Sequence, residues 1–374
     1  MAAANDCPHQ NILQKEDSTN KKRYRLLELY CGIGGMRYAL DSSGIPYEVV
    51  AAVDIDPVAG AIYKHNFGSE GHYEKDILSF TSSDIENMKI DIITMSPSCQ
   101  PFPRFGIKDF ERITYERNKS FLHILTILKE LQRKPMYIVV GNAMGFDSSH
   151  AKKVLLETLE ASGYRYQHFY LTPQPFGFPN SRCWNYVIAK LREEKFSFIE
   201  SRKPLNDMPD VKYDKLERPE WIHDNIVLHP LGFFLETEIE DLERYLISDR
   251  ILLKSWSEFD IVDGNSTNST RFTKGYHHLA QRSGSVISSV EAGEAYDLLQ
   301  MSTRCSNRKE QLTYLKEIGL RYFTPREIAN LLHFPDHFNF PPGIIVEQMY
   351  ESLVSSPNVY VASCVMKLLF QKRD

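Results

Sequence analysis

From residue 25 to about 192, short apolar runs alternate with amphipathic stretches, and this alternation limits the fold more than any other feature of the chain. "RLLELY" and "EVVAAVDI" read as strands, and "MRYALDSSG" and "PVAGAIYKHNF" as the helices that follow them. "IDIITMS", "MYIVV", "YQHFYLTP" and "NYVIAKL" read as further strands. "SFLHILTILKELQRK" is an amphipathic helix with Phe121, Leu125, Leu128 and Leu131 near one face, and "HAKKVLLETLEASG" is a helix with a closing glycine. Strands alternating with helices build a mostly parallel sheet covered on both faces. The expected class is α/β, with a Rossmann-like sheet.

The alternation bounds the domains. Residues 1–23 lack an apolar signal core and read as a disordered tail; 24–192 form the sheet domain. Residues 193–320 mix proline, charge and aromatics and read as a smaller irregular domain. Residues 321–374 return to the first domain, through "TPREIANLLHF", with Thr324 as N-cap, Pro325 at the first helical position and Glu327 three after the cap, and a last helix in "NVYVASCVMKLLF". No run of about 18 apolar residues predicts a membrane span. The six cysteines include no CxxC pair, so neither a zinc site nor a disulfide framework is expected, and the compartment is a reducing one, cytoplasm or nucleus. "NSTNST" at Asn265 to Thr270 reads as a flexible polar loop. With a net charge of −5, any nucleic-acid surface has to be a local basic patch; Lys21 to Arg25 and Phe272 to His278 are the candidates.

"ELYCGIGGM" puts Gly32, Gly34 and Gly35 directly after the first strand and before a helix, where glycines let a ligand approach the backbone at the carboxyl end of the sheet. Asp54 ends the next strand, 20 positions after Gly34, where an acid bonds a ribose hydroxyl. The pair suits NAD or S-adenosylmethionine, both of which carry an adenosine. The loop is not a full GxGxxG, and no Arg or Lys stands nearby for a phosphate, which favours S-adenosylmethionine.

"TMSPSCQPFPRFG" follows a third strand and holds three prolines around Cys99. Prolines stiffen a loop, and a thiol held at a strand's carboxyl end shares the rim with the adenosine site. A thiol near a methyl sulfonium suggests cytosine C5 methylation: thiolate addition at C6 makes C5 a carbanion able to take the methyl group, and loss of the C5 proton releases the enzyme. The base has to be unpaired or swung out of its stack.

"LLELYCGIGGMRYAL", "AAVDID", "MSPSCQPF", "FGFPNSR", "FTKGY" and "RYFTPREIANLLHFP" together resemble the cytosine-5 methyltransferase superfamily, and within it the DNA methyltransferase-2-like branch of tRNA methyltransferases that modify cytosine 38 of aspartate tRNA. The resemblance covers residues 24 to about 192 and 270 to 370. It implies an S-adenosylmethionine-dependent methyltransferase sheet with a target-recognition domain, aspartate tRNA as partner and DNA as a weaker one, and neither metal nor membrane. It implies that Tyr30, Gly32, Ile33, Gly34 and Gly35 cradle the cofactor, that Asp54 holds its ribose, that Ile55 flanks the adenine, and that Asp76, Ile77 and Leu78 meet the adenine edge. Ser96 begins the cysteine loop and Cys99 takes the nucleophile's place, with Ser98 where the family usually has a second proline.

Other blocks depart from the pattern. The family has Glu-Asn-Val where this chain has Gly141-Asn142-Ala143: Asn142 keeps its place in the catalytic set, but the glutamate that bonds cytosine N3 and N4 and protonates N3 is gone. Losing a positioned general acid costs roughly 10² to 10⁴ in rate. Asp147 lies six positions further on, past Gly145. Arg182 keeps the first of two family arginines; Trp184 replaces the second, offering a face to stack on a base but no guanidinium fork. The branch's Cys-Phe-Thr reads Arg271-Phe272-Thr273, and the closing Gly-Asn-Ser, whose asparagine contacts the cofactor, reads Val354-Ser355-Ser356. Pro357, next in line, is expected to disturb the start of the last helix. The resemblance therefore implies a tRNA cytosine-5 methyltransferase with impaired turnover, or an inactive RNA- and cofactor-binding protein on the same scaffold.

Overall fold

The structure is a computed structural model. It describes residues 23–97, 107–143, 150–209, 227–277 and 283–371, with the backbone alone at 107–117 and 143. Residues 1–22 of the N-terminal tail, Cys99 and Asp147 lie outside the described residues.

In chain order the first region runs β1 (Tyr24–Leu29), α1 (Gly35–Ser42), β2 (Tyr47–Asp54), α2 (Pro57–Phe67), β3 (His72–Glu74), α3 (Ser82–Met88), β4 (Ile92–Met95), α4 (Ile107–Glu130), β5 (Tyr137–Ala143), α5 (His150–Ala161), β6 (Tyr164–Leu171) and β7 (Trp184–Leu191). The seven strands form one sheet in the order β3-β2-β1-β4-β5-β7-β6. Strands β1 to β5 are parallel, as the alternation predicts, and β7 inserts antiparallel between β5 and β6.

Strand side chains alternate between two apolar layers. Leu27, Leu29, Ile93, Met95, Ile138 and Val140 face α4 and α5 through Phe121, Leu125, Leu128, Leu155 and Leu159. Leu26, Ile92, Tyr137, Val139 and Ile188 join the layer that holds α1 and the last helix. Helix α4 starts at Ile107, well before the apolar face that begins at Phe121.

Residues 193–320 hold α6 (Asp249–Ser255), a two-stranded parallel sheet of β8 (Asp260–Val262) and β9 (Ser285–Ile287), and a pair of helices, α7 (Ala292–Arg304) and α8 (Arg308–Glu317). The helix pair departs from the irregular reading of this stretch. Its fully buried residues are few, Ala295 and Ser302 on α7 and Leu315 on α8, with Leu298, Leu299 and Leu312 half-buried against the core.

The chain closes with α9 (Pro325–Leu331), α10 (Val346–Leu353) and α11 (Val359–Phe370). Thr324 and Glu327 form the expected capping box, with Pro325 in the first turn. Glu327 is fully buried and also takes a two-pronged ion pair from Arg321, both contacts at 2.8 Å. Pro357 does not disturb α11: it sits outside the helix, and Asn358 caps it by accepting from the Val361 amide at 3.0 Å. Helix α11 packs against α1, and its end reaches the first strand, where Phe370 lies 5.4 Å from Tyr24 between ring centres.

Candidate active site

The carboxyl ends of β1, β2 and β3 meet at one rim. Past Leu29 the backbone takes positive φ at Tyr30 (55°), Gly32 (53°) and Gly34 (84°), which a side chain tolerates poorly and glycine readily. The Gly32 amide donates to Asp54 Oδ2 at 2.8 Å, and Asp54 Oδ1 accepts from the Asp56 amide at 3.0 Å. Asp54 is thus fixed by two backbone donors, each oxygen keeping a lone pair for a further donor. Burial raises its pKa above the usual aspartate value, and the backbone hydrogen bonds oppose the rise. Tyr30 anchors the loop to α4 by donating its hydroxyl to Ser120 Oγ at 2.9 Å.

The three loop glycines have different reasons to be glycine. A Cβ on Gly34 would fall 2.3 Å from the Phe67 ring, and one on Gly35 would fall 3.1 Å from Pro357 and 3.3 Å from Ser356, so both pack against the chain itself. Only Gly32 opens on free space. Ile33 points into the core at 1% exposure. Beside Asp54, Ile55 is 64% exposed, an apolar side chain left uncovered at the rim. The Lys75 amide donates to the Asp54 carbonyl at 3.1 Å, bringing the next segment alongside. There Asp76 is exposed and caps a short turn through the Leu78 amide at 2.9 Å, Ile77 is buried and Leu78 half-buried. Gly32, Asp54, Ile55 and Asp76 fit an adenosine: open backbone, a tethered carboxylate for ribose hydroxyls and an apolar shelf for the base. Ser96, at the end of β4, is tied to the Leu29 carbonyl through its amide at 3.3 Å, and its buried Oγ has no partner among the described residues.

On the other side of the rim stand β5 and β7. Gly141 pairs with Tyr186 and Ala143 with Trp184, so positions 141 and 184 look to the same face. The missing Cβ of Gly141 would lie 3.0 Å from Trp184 Nε1 and 3.5 Å from Met36 Sδ. The indole therefore fills the space into which a longer side chain at 141 would project. Trp184 is only 5% exposed, and the Arg182 guanidinium covers its ring at 4.4 Å. It offers no free face for stacking on a base, contrary to the sequence expectation. Its Nε1 is an orphan donor among the described residues, and Asn142, buried at 3% exposure, has an orphan Oδ1.

Arg182 is itself buried. It donates through one terminal nitrogen to the Ser356 carbonyl at 2.7 Å and through the other to the Val354 carbonyl. Burial lowers its pKa from the ordinary guanidinium value. Phe272 packs into the core against Tyr276 and Phe323, and the Thr273 amide donates to the Ser283 carbonyl at 2.8 Å. Of the two candidate basic stretches, Arg25 is engaged with Glu48 and the Met88 carbonyl, and His277 pairs with Glu347 at 3.1 Å.

A second charged group escaped the sequence reading. Glu28, next to the last residue of β1, is 1% exposed; its Oε2 accepts from Tyr63 at 2.9 Å, Tyr63 in turn accepts from Arg37 at 3.0 Å, and Oε1 has no partner among the described residues. Burial pushes the Glu28 carboxyl up to about 7. The signal was there: a lone acid inside the apolar run "RLLELY". Among the described residues no cluster of metal-ligating side chains gathers, and no helix is long and apolar enough to cross a membrane.

The comparisons with known proteins agree with this geometry. A family model described as C-5 cytosine-specific DNA methylase matches residues 24–371. A human tRNA (cytosine(38)-C(5))-methyltransferase is 38% identical, the match covering 93% of this chain and 99% of that protein. A Schizosaccharomyces pombe protein of the same name is 33% identical over 94% of this chain and 98% of its own. A crystal structure of a Spodoptera frugiperda DNMT2 triple mutant superposes with a TM-score of 0.81 at 32% identity, covering 93% of this chain and all (100%) of that one. With the seven-stranded sheet, the acid-tethered glycine loop and a match along nearly the whole chain, this protein belongs to the C-5 cytosine-specific DNA methylase family.

Proposed function

We propose that this chain is an S-adenosylmethionine-dependent tRNA cytosine-5 methyltransferase that acts on cytosine 38 of aspartate tRNA, in the cytoplasm or nucleus, with turnover well below that of a relative bearing the family glutamate. The observation that carries the cofactor side is Asp54, held by the Gly32 and Asp56 amides beside the exposed Ile55. The observation that carries the low turnover is Trp184 packed into the space beside Gly141. The tRNA assignment rests on the names of the full-length relatives.

S-adenosylmethionine supplies an electrophilic methyl group when bound. Asp54 would orient it by accepting from the ribose hydroxyls, and Ile55 would cover one face of the adenine. Cys99, whose part rests on its place in the sequence, adds as thiolate to cytosine C6 and moves the ring's electron pair to C5. C5 would then take the methyl as its bond to the sulfonium breaks and a neutral thioether leaves; loss of the C5 proton to a base would restore the C5–C6 double bond and release Cys99 as thiolate. Addition at C6 is easiest when N3 is protonated. Gly141 cannot supply that proton, and an indole N–H can donate a hydrogen bond but is far too weak an acid to transfer one. Loss of that proton transfer is expected to lower the rate by roughly 10² to 10⁴.

The same Trp184 packing favours a second reading, an RNA- and cofactor-binding protein without turnover. One assay separates the two: transfer of labelled methyl to aspartate tRNA by the parent chain and by Cys99→Ala. Slow transfer abolished by Cys99→Ala supports the proposal. Binding of tRNA and cofactor with no transfer supports the second reading. Transfer that survives Cys99→Ala, or a parent rate equal to that of the human relative, refutes the mechanism or the attenuation respectively.

A further inference from the structure

We propose that Arg182 is a positioning residue for the cofactor loop, acting through the Val354–Pro357 turn, and that in this chain it does not touch the target base. The inference rests on the S-adenosylmethionine reading of the rim and adds a residue that controls it.

The contacts form one continuous path. Arg182, 6% exposed, sends its two terminal nitrogens to the carbonyls of Ser356 and Val354, just past the end of α10. Those carbonyls stand at the negative end of a helix, where a cation is favoured. The turn they belong to presses on the cofactor loop: Pro357 Cδ and Ser356 Cβ stand 3.1 Å and 3.3 Å from where a Gly35 Cβ would be. Gly35 opens α1 and follows Gly34, which closes the loop whose Gly32 amide holds Asp54. On its other side the guanidinium lies on Trp184 at 4.4 Å. Arg182 is thus clamped between the first residue of β7 and the turn that backs the glycine loop.

The fork explains why arginine serves here. Two carbonyls two residues apart receive two nitrogens of one planar group, which a lysine ammonium on a flexible stem cannot hold in the same way. Where the family's closing asparagine would contact the cofactor directly, this chain has a serine–serine–proline turn, and it packs on the loop instead. The support is therefore mechanical and is felt at the cofactor site.

The test compares Arg182→Lys and Pro357→Ala with the parent chain. Cofactor affinity is read by calorimetry with S-adenosylmethionine, tRNA affinity by filter binding, and loop order by backbone hydrogen exchange at residues 31–36 without ligand. Arg182→Lys is expected to weaken cofactor binding about 10-fold, to leave tRNA binding within about 2-fold, and to speed exchange at 31–36. Pro357→Ala, which keeps the arginine's hydrogen bonds but removes the ring that presses on Gly35, is expected to give the same pattern at smaller amplitude. It decides the matter if Arg182→Lys does not fold. Unchanged exchange and cofactor affinity in both variants overturn the proposal, as does a loss confined to tRNA binding in Arg182→Lys. If the parent itself does not bind S-adenosylmethionine, the functional reading fails, while faster exchange at 31–36 still upholds the path and unchanged exchange still refutes it.

Discussion

Substituting glutamate at position 141 forces a side chain into space that Trp184 already occupies. The first added carbon would stand 3.0 Å from Trp184 Nε1 and 3.5 Å from Met36 Sδ, before the rest of the side chain is placed. Overpacking costs about 1–3 kcal/mol, and an unpaired carboxylate buried there adds a penalty of several kcal/mol, partly relieved by protonation. Gly141→Glu alone is therefore expected to lose about 3–5 kcal/mol, a large part of a domain's total stability. Trp184→Arg alone removes a side chain that is 5% exposed and brings a second cation beside Arg182, at a cost of about 3–5 kcal/mol. Together the two changes remove the clash and pair the new carboxylate with the new guanidinium. The double variant is then expected to be more stable than the sum of the singles by at least about 2 kcal/mol. Urea unfolding of the four proteins followed by circular dichroism measures the coupling, because the indole itself is one of the changes. Additivity within about 0.5 kcal/mol would refute the reciprocal packing. The double variant is also expected to gain methyl transfer to tRNA that neither single shows; no gain would mean that the altered closing turn limits the rate.

Three further outcomes follow from residues already placed. Glu28 carries a proton more readily folded than unfolded, so its contribution to stability is full below the unfolded carboxyl value and is lost as pH rises through about 7. Glu28→Gln should flatten the stability–pH curve between about 4.5 and 7, a slope worth about 3 kcal/mol in all, and should be the more stable protein at pH 8; an unchanged slope in urea titrations refutes the assignment. Asp54→Ala removes the acceptor for the Gly32 and Asp56 amides and should weaken S-adenosylmethionine binding about 10- to 100-fold, with Asp54→Asn intermediate; calorimetry showing both variants equal to the parent argues against this rim as the cofactor site. Glu327→Ala leaves the Arg321 guanidinium with the Tyr322 carbonyl but no counter-charge, and the Thr324 amide without its acceptor, and should cost about 3–5 kcal/mol, visible as a large drop in melting temperature, whereas a drop of under about 2 °C would show that the pair contributes little.

Much of the sheet domain was legible because apolar runs of strand length separated by helical spacing leave few other arrangements. The direction of β7 was not, since a run such as "NYVIAKL" alternates identically in either orientation; direction is set by the connection from β6, which no local pattern records. The α7–α8 pair was missed although α7 is amphipathic, because its face of Ala295, Leu298, Leu299 and Ser302 is set in a stretch dominated by proline, charge and aromatics. At the rim, sequence spacing located Gly32 and Asp54 as neighbours, but it credited Gly34 and Gly35 to a ligand when Phe67 and Pro357, far along the chain, set the requirement. Trp184 shows the same limit: its identity announced a lost guanidinium, while only the fold reveals that the indole answers the empty place at Gly141.

The docking of α11 on α1 bears on how the protein is made. The layer over Leu26, Ile92 and Tyr137 is completed by side chains from residues 359–370, and Lys190 is held by the Leu369 carbonyl at 3.1 Å. Synthesis has therefore to reach residues 359–370 before this face of the first strand finds its cover. Until then the nascent chain carries an open apolar face of the kind that chaperones hold and that aggregates when they do not. A premature stop anywhere before Val359 should yield insoluble protein, however intact the catalytic blocks. The same proximity of first strand and last helix lets the backbone be reconnected there, so a circular permutant joined between Gln371 and Arg23 should fold with the new ends moved to an exposed loop.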